Sequence, residues 1–417
     1  MLRLTGCAPA PATVEPAPPP SETGVAGTAT LTTQQAETPI PTPTLTPEPK
    51  AVIKIVSQSP LSGNQAIFGK DIQRGAELAV RQLTGPLAEQ GYEVVLLPYD
   101  DRNTLETAQA NAAEVVADPA VLCAIGHYAP RVTVQASEIY HDAGLAFVAP
   151  VTTNSALTDR GYLEVNRVIG RNDRQGVAAA QFAKDQGLAS FYIITQKDEY
   201  ALKNAEYFRI EGERMGIQGL GMLIIDVTGD LDAAVTRMMA ADPELVYFAG
   251  TADQAIPFFQ KARAAGYAGT FLGLDELNNP SLFELADPSL IEGGMYYTIM
   301  SAPANSYPGA AKFIEDFNVH YGSSPLLFAA RAYDATGICI KAIEEAIQAN
   351  GGAVPTRGQV ASAIRALKDY KGITGTYNFN GQGDLTLAKY YVYKVVSVDA
   401  VNWDQNFIIA SYEVAPP

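Results

Sequence analysis

Two short loops combine hydroxyl, imidazole and backbone donors where strands of a parallel sheet are predicted to end. Residues 127–130 read His-Tyr-Ala-Pro and follow the apolar run Val121–Ile125. Residues 150–154 read Pro-Val-Thr-Thr-Asn and follow the apolar run at 145–149. Ligands of open α/β sheets bind at the carboxyl ends of strands, where the free N–H groups of helix N-termini favour an anion. These loops therefore predict a binding site for a small molecule with a negative group.

Motifs for catalysis or metal binding are absent from the sequence. There is no Gly-x-Ser-x-Gly, Gly-x-Gly-x-x-Gly or His-Glu-x-x-His segment, and the three histidines lie far apart. The spacing of Gly63, Gly69 and Lys70 is similar to a phosphate-binding loop. However, five residues separate the glycines instead of four, and Asp71 stands where Ser or Thr is required. No cofactor, no metal site and no enzymatic activity are predicted.

The segments that position both loops form a strand–helix–strand unit. Val121–Ile125 is apolar and contains β-branched residues, which is typical of a strand buried on both faces. Residues 131–143 carry apolar side chains at helical spacing and are followed by Gly144. Residues 145–149 form the second strand. The two strands of such a unit should be parallel.

The same alternation of strands and helices recurs along the chain. Further strands are predicted at 51–57, 92–101, 190–195, 221–226, 245–249, 270–274 and 389–398. Further helices are predicted at 72–83, 104–118, 175–186, 201–215, 230–241, 254–265, 308–321, 329–349 and 356–367. Asp173 is predicted to cap the helix at 175–186. The pattern indicates an α/β fold with two doubly wound, Rossmann-like lobes.

Composition narrows the class of partner. The net charge is −16, from 29 basic and 45 acidic residues, and no basic cluster stands out. Nucleic acid and anionic membrane surfaces are therefore not expected as partners. Cys123 lies in a predicted strand and Cys339 in a predicted apolar helix, and free buried thiols are favoured over a disulfide.

The amino-terminal segment differs from the rest in composition. Leu4-Thr5-Gly6-Cys7 resembles a bacterial lipobox, which would make Cys7 the site of lipidation and residues 1–6 the remainder of a signal peptide. Residues 7–50 are rich in Pro and Thr, cannot bury a core and are predicted to form a disordered tether. A cytoplasmic protein with a disordered tail is the alternative.

Motifs in the central segment resemble the branched-chain amino-acid binding proteins, the solute-binding components of ABC importers. These motifs are Gly126-His127-Tyr128, Ala136-Ser137-Glu138-Ile139-Tyr140 and Ala149-Pro150-x-Thr-Thr-Asn154-x-x-Leu157-Thr158-x-Arg160-Gly161-Tyr162. The resemblance implies the type I periplasmic binding fold, with two lobes joined by a three-segment hinge. Lobe 1 would comprise residues 51–170 and 300–390, and lobe 2 residues 171–299 and 391–417.

The resemblance also implies a ligand site between the lobes. The candidate ligand-binding residues are Phe68, Tyr128, Ala129, Val151, Thr153, Tyr200, Thr251 and Asp275. Thr153 would donate to a carboxylate, Asp275 would accept from an ammonium group, and Phe68 would lie over the ligand. Each has a purely structural alternative: Thr153 a helix N-cap, Asp275 a turn residue, and the aromatic residues packing.

The chain departs from the family pattern in its first loop. Ala129-Pro130-Arg131 stands where Ser or Thr hydroxyls are usual, and Pro130 has no N–H to donate. Arg131 would either bind a carboxylate or face solvent. At Thr251 this chain has a small residue in place of an aromatic one. These departures concern the identity of the ligand more than binding itself.

The resulting expectation is a monomeric, extracytoplasmic solute-binding lipoprotein that captures a branched-chain or other small amino acid, or a related polar solute, by hinge closure. It would be periplasmic or anchored through Cys7 to the outer face of the cytoplasmic membrane, and its protein partner would be an ABC transporter permease. A ligand-sensing domain of a receptor on the same fold is the alternative. An enzyme on a doubly wound fold is a second, less favoured alternative.

Overall fold

Two separate sheets form the framework of the protein. The computed structural model describes residues 48–226, 230–280 and 287–417. The first sheet has five strands in the order β2-β1-β3-β4-β5, all parallel. Its strands are β1 (Ala51–Ser59), β2 (Tyr92–Asp100), β3 (Val121–Gly126), β4 (Ala146–Ala149) and β5 (Val165–Arg167). Every residue of β3 and β4 is buried, which explains their continuous apolar runs.

The second sheet has seven strands in the order β14-β13-β10-β9-β8-β6-β7. Its strands are β6 (Ser190–Gln196), β7 (Gln218–Ile225), β8 (Leu245–Ala249), β9 (Thr270–Gly273), β10 (Met295–Ile299), β13 (Ala388–Lys394) and β14 (Phe407–Val414). β6 to β10 are parallel, whereas β13 and β14 join as antiparallel strands at one edge. A short hairpin of β11 (Tyr370–Lys371) and β12 (Thr376–Tyr377) precedes them.

Eleven α-helices are found in the described part of the chain. They are α1 (Ala66–Leu83), α2 (Gly85–Glu89), α3 (Leu105–Ala117), α4 (Pro130–Asp142), α5 (Gln175–Asp185), α6 (Glu199–Arg214), α7 (Leu231–Ala241), α8 (Ala252–Ala264), α9 (Ala311–Tyr321), α10 (Ala329–Ala349) and α11 (Arg357–Ala366). Buried residues of α1, α10 and α11 pack into one core with β1, β3 and β4. None of the described helices is long and apolar enough to cross a membrane.

Three segments connect the two sheets: residues 168–174, 300–303 and 384–387. The Arg331 guanidinium of α10, only 5% exposed, fastens two of them. Its Nη1 donates to the carbonyl oxygen of Val168 at 2.7 Å and its Nη2 to that of Met300 at 2.6 Å. Buried charges are tolerated when they are hydrogen-bonded, so this helix holds both connections in a fixed geometry.

A buried ion network fastens the third connection. Arg167 Nε lies 2.9 Å from Asp384 Oδ1, and Arg171 Nη1 lies 3.3 Å from Asp384 Oδ2. Arg171 also forms a two-point pair with Asp173, at 3.0 and 2.7 Å. The prediction that Asp173 caps the helix at 175–186 is therefore wrong. Its carboxylate pairs with Arg171, and the N-cap position is held by Arg174 without a side-chain cap.

The expectation of free thiols at Cys123 and Cys339 is also wrong. The two residues form a disulfide between β3 and α10, with the Cα atoms 6.0 Å apart. They are 216 residues apart in the chain, so no local pattern could have paired them. Disulfides persist in oxidising compartments such as the periplasm.

The predicted elements agree with the structure in type and differ at some ends. α1 begins at Ala66 rather than at residue 72, and β14 was not predicted as a strand. The two-sheet α/β architecture is confirmed, and the strands of each sheet are compatible with the predicted lobes. The exact lobe boundaries stay a prediction. Cys7 and most of the predicted tether lie outside the described residues.

The disulfide should contribute measurably to stability. Removing a native disulfide typically costs about 2–5 kcal/mol, because the unfolded chain gains conformational freedom. We expect a reducing agent to lower the thermal midpoint of the wild-type protein. The double variant Cys123→Ser/Cys339→Ser should melt at the lower temperature with or without the reducing agent. An oxidised wild-type protein that melts no higher than this double variant would contradict the assignment.

Candidate functional site

The two loops singled out in the sequence are joined by threonine side chains. The Oγ1 atoms of Thr133 and Thr152 lie 2.6 Å apart, and Thr133 Oγ1 donates to the carbonyl oxygen of Ala129 at 2.9 Å. Arg167 Nη1 donates to the carbonyl oxygen of Thr152 at 3.1 Å. The carboxyl ends of β3 and β4 therefore meet at one place, as the strand–helix–strand pattern predicted.

Thr153 presents a free hydroxyl at this edge. Within the ranges that the structure describes, its Oγ1 makes no hydrogen bond, and neither do the N–H groups of Ala129 and Val151. The alternative role of Thr153 as a helix N-cap is excluded, because Asn154 accepts from Ala156 N and caps the following turn. These donors are positioned to bind an anionic group such as a carboxylate.

An aromatic cluster lies beside these donors. The rings of Phe68 and Tyr128 stack with centroids 5.3 Å apart and planes 6° from parallel. Phe328 packs edge-on against both, at 5.7 and 5.8 Å. Its backbone N–H donates to the buried carboxylate of Asp71, which fixes the ring in place. Phe68 and Tyr128 are only partly buried, so they offer an apolar surface to a ligand.

The second half of the candidate site lies at the ends of second-sheet strands. Asp275 follows β9, and its Oδ1 accepts from the Tyr200 hydroxyl at 2.5 Å and from Gln175 Nε2 at 2.9 Å. Gln175 in turn accepts from the Thr298 hydroxyl at 2.9 Å. Asp275 is thus oriented by side chains from α5 and α6 and, through Gln175, by β10.

The electrostatics of this half favour a cation. Burial raises the pKa of the Asp275 carboxyl, and the hydrogen bonds from Tyr200 and Gln175 offset part of that rise. Burial and the nearby Asp275 carboxylate raise the pKa of the Tyr200 hydroxyl well above its ordinary value. No arginine or lysine of the described residues pairs with Asp275. A positive group on a ligand would supply the missing countercharge.

Hydrogen bonds connect the two halves. Asn172 N donates to the carbonyl oxygen of Thr153 at 2.8 Å. Asn204 Nδ2 donates to the carbonyl oxygens of Asn172 and Tyr200, both at 3.0 Å. Asn172 and Asn204 therefore link Thr153 to Tyr200 through hydrogen bonds. The structure brings together the donors of the first half and the carboxylate of the second beside the connection at 168–174.

Two other sequence candidates have different surroundings. Thr251 is exposed, and its hydroxyl accepts from Gln196 Nε2 at 2.9 Å while its N–H donates to Gln196 Oε1 at 3.0 Å. It is therefore held by the second sheet rather than left free. Arg131 faces solvent at the start of α4. Of its two predicted roles, exposure to solvent is the observed one.

Sequence reasoning missed Gln175, Thr298 and Phe328. Gln175 is the first residue of α5 and directly follows the connection at 168–174. This position was the only feature of the sequence that could have indicated a role in the candidate site. Thr298 is a buried polar residue within a strand, and Phe328 lies at the N-cap of α10. No group of His, Cys, Asp and Glu residues within the described ranges could hold a metal ion.

Comparison with known proteins agrees with this geometry. The profile of the periplasmic binding protein family matches residues 52–400. The chain belongs to the periplasmic binding protein family. Membership implies an extracytoplasmic location and confirms the type I fold with two Rossmann-like lobes, which the motifs around Gly126 and Thr153 predicted.

Three relatives illustrate the similarity. The chain is 29% identical over 354 residues to the leucine-, isoleucine-, valine-, threonine- and alanine-binding protein of Pseudomonas aeruginosa, covering 82% of this chain and 89% of that one. It is 27% identical over 341 residues to an amino acid binding protein of the same organism, covering 80% and 88%. It is similar to the crystal structure of a leucine binding protein from Thermotoga maritima, with 25% identity, a TM-score of 0.64 and coverage of 86% and 98%.

The raised pKa of Asp275 predicts a pH-dependent effect on stability. Because this pKa is higher in the folded protein than in the unfolded chain, the folded state binds more protons, and the contribution of Asp275 to the free energy of unfolding is lost as pH rises through the folded pKa. Asp275→Asn removes this titration. Relative to wild type, the variant without ligand should gain stability as the pH rises from about 4, the ordinary pKa of an aspartate, through the higher pKa of the folded protein.

Urea denaturation of ligand-free protein across this pH range measures the difference. Asp404→Asn serves as the control, because Asp404 is exposed and lies outside the candidate site. A stability difference for Asp275→Asn that stays flat or falls with rising pH would contradict the assignment.

Proposed function

We propose that the protein is the extracytoplasmic binding component of an ABC importer and captures an amino acid between its two lobes. The observation that carries this proposal is the Asp275 carboxylate, held by Tyr200 and Gln175 without a cationic partner in the described chain. A small molecule that brings both an ammonium group and a carboxylate satisfies this residue and the free donors around Thr153 at the same time.

The arrangement assigns each group of the ligand to a partner. The ammonium group pairs with Asp275, and the carboxylate accepts from the Thr153 hydroxyl and from the N–H groups of Ala129 and Val151. The side chain of the ligand lies against Phe68 and Tyr128. Burying a leucine-sized side chain there would contribute about 1.5–3 kcal/mol, which favours large apolar amino acids over small ones. The names of the relatives, which bind leucine and other amino acids, support this class of ligand.

Two partners belong to the same proposal. Closed, liganded protein would dock on an ABC transporter permease as a monomer, and a lipid on Cys7 would anchor the protein at the membrane surface through the tether at 7–50. A ligand-sensing domain on the same fold is the alternative. Genes for permeases and ATPases adjoining this gene would favour the importer.

Charge removal at Asp275 should abolish binding. Losing one member of a buried charge pair costs about 3–5 kcal/mol, which corresponds to a loss of affinity of two orders of magnitude or more. We therefore expect that Asp275→Ala and Asp275→Asn no longer bind leucine, whereas the wild-type protein does. Calorimetric titration of refolded, ligand-free protein measures the affinity.

The matched control is Glu276→Gln, because Glu276 is the adjacent carboxylate, is exposed and makes no hydrogen bond with Tyr200 or Gln175. This variant should bind leucine nearly as well as wild type. Near-normal affinity in Asp275→Asn would show that the ligand has no ammonium group at this position, and the amino-acid assignment would then be wrong.

Lipidation of Cys7 predicts membrane attachment. Expressed behind a complete lipoprotein signal peptide, the wild-type protein should sediment with membranes, because an acylated cysteine partitions into the bilayer. Cys7→Ser should move into the soluble extracytoplasmic fraction, as measured by fractionation and immunoblotting. Ala8→Ser serves as the control and should remain attached. Unchanged attachment of Cys7→Ser would count against lipidation.

A further inference from the structure

Two adjoining cavities lie beside the connections between the sheets. Their volumes are about 380 and 500 Å³, and Thr374, Gly375, Thr376 and Lys389 line both. None of the candidate ligand-binding residues lines either cavity. We call the combined space the hinge cavity.

The walls of the hinge cavity come from segments on both sides of the connections. Gly170 belongs to the first connection, and Tyr377 belongs to the β11–β12 hairpin. Glu413 and Ile408 belong to β14, the edge strand of the second sheet. Movement of one sheet relative to the other would therefore change the shape of this cavity.

Cationic side chains predominate in its lining. Arg331, Lys371 and Lys389 line the cavity, against the single carboxylate of Glu413. Among the described residues, neither lysine forms an ion pair, and Lys371 Nζ donates only to the Thr376 hydroxyl at 3.0 Å. Arg331 is 5% exposed, and its Nε has no hydrogen-bond partner within the described ranges. The two Nη atoms of Arg331 already donate to the carbonyl oxygens of Val168 and Met300, which leaves Lys371 and Lys389 as the lining cations without such backbone acceptors in the described part of the chain.

The remaining wall is apolar. Leu385 and Leu387 line the first cavity, and Ile373 and Ile408 line the second. Leu387 is 53% exposed, which is high for a leucine side chain. A lining that combines cationic, hydroxyl and aliphatic side chains fits a molecule with an anionic head and a short aliphatic body.

We propose that the hinge cavity is a second ligand site, distinct from the cleft, which binds a small aliphatic carboxylate. Lys389 and Lys371 hold the carboxylate, and the leucine and isoleucine side chains cover the aliphatic body. Because the cavity is built from both sides of the connections, its occupant has different affinities for different lobe arrangements. It is therefore coupled to the cleft, and the coupling acts equally in both directions.

The test uses isovalerate, a branched carboxylate that lacks the ammonium group required at Asp275. Calorimetric titration of the full chain should show saturable binding to the wild-type protein. Lys389→Glu should weaken this binding at least tenfold, because it replaces a cation with a carboxylate. Lys394→Glu is the matched control, since Lys394 lies on the same strand but outside the cavity lining, and it should bind as wild type does.

Asp275→Asn separates the two sites. This variant should keep its affinity for isovalerate while it loses leucine. Absence of saturable isovalerate binding, or equal affinity in Lys389→Glu and wild type, would overturn the proposal. Loss of isovalerate binding in Asp275→Asn would place the molecule in the cleft and would likewise overturn it. Lys389 lies directly opposite Glu413 across β13 and β14, so Lys389→Glu should melt somewhat below wild type, and an unchanged circular dichroism spectrum checks that the variant is folded.

Discussion

A single buried guanidinium, that of Arg331, holds two of the three connections between the sheets. It binds the carbonyl oxygens of Val168 and Met300, which belong to segments more than a hundred residues apart in the chain. Arginine suits this task because its planar fork is always charged and presents several donors in a fixed geometry. These two hydrogen bonds fix the position of both connections relative to α10.

The ion network around Arg167 links the connections between the sheets to the candidate site. Arg167 contacts Asp384 of the third connection and also donates to the Thr152 carbonyl and the Thr158 hydroxyl. The loop that carries Thr153 is therefore held by the side chain that helps to fix the hinge. Buried pairs of arginine and carboxylate contribute little to the net free energy of unfolding. Their role here is to fix where the loop of Thr153 lies relative to the connections between the sheets.

Features that depend on residues close together in the chain could be predicted from the sequence, whereas contacts between distant segments could not. The helix at 329–349 was predicted with its exact ends, because its apolar periodicity lies within one segment. Thr153 and Asp275 were placed at strand ends by the same kind of pattern and by family resemblance. The pairing of Cys123 with Cys339 and the contacts of Gln175 with Asp275 join distant segments, so only the tertiary structure reveals them. Asp173 was misassigned because a distant arginine network does not show in the local sequence.

The surroundings of the Asp275 carboxylate disfavour its charged form. Burial raises the pKa of Asp275, and the two hydrogen bonds it accepts compensate only in part. In the proposed function, an ammonium group at this position would offset the cost of the buried charge. Since Tyr200, which donates to Asp275, connects through Asn204 and Asn172 to Thr153, a ligand that orders one half also constrains the other. The two halves of the candidate site thus belong to one connected hydrogen-bond network rather than to two independent pockets.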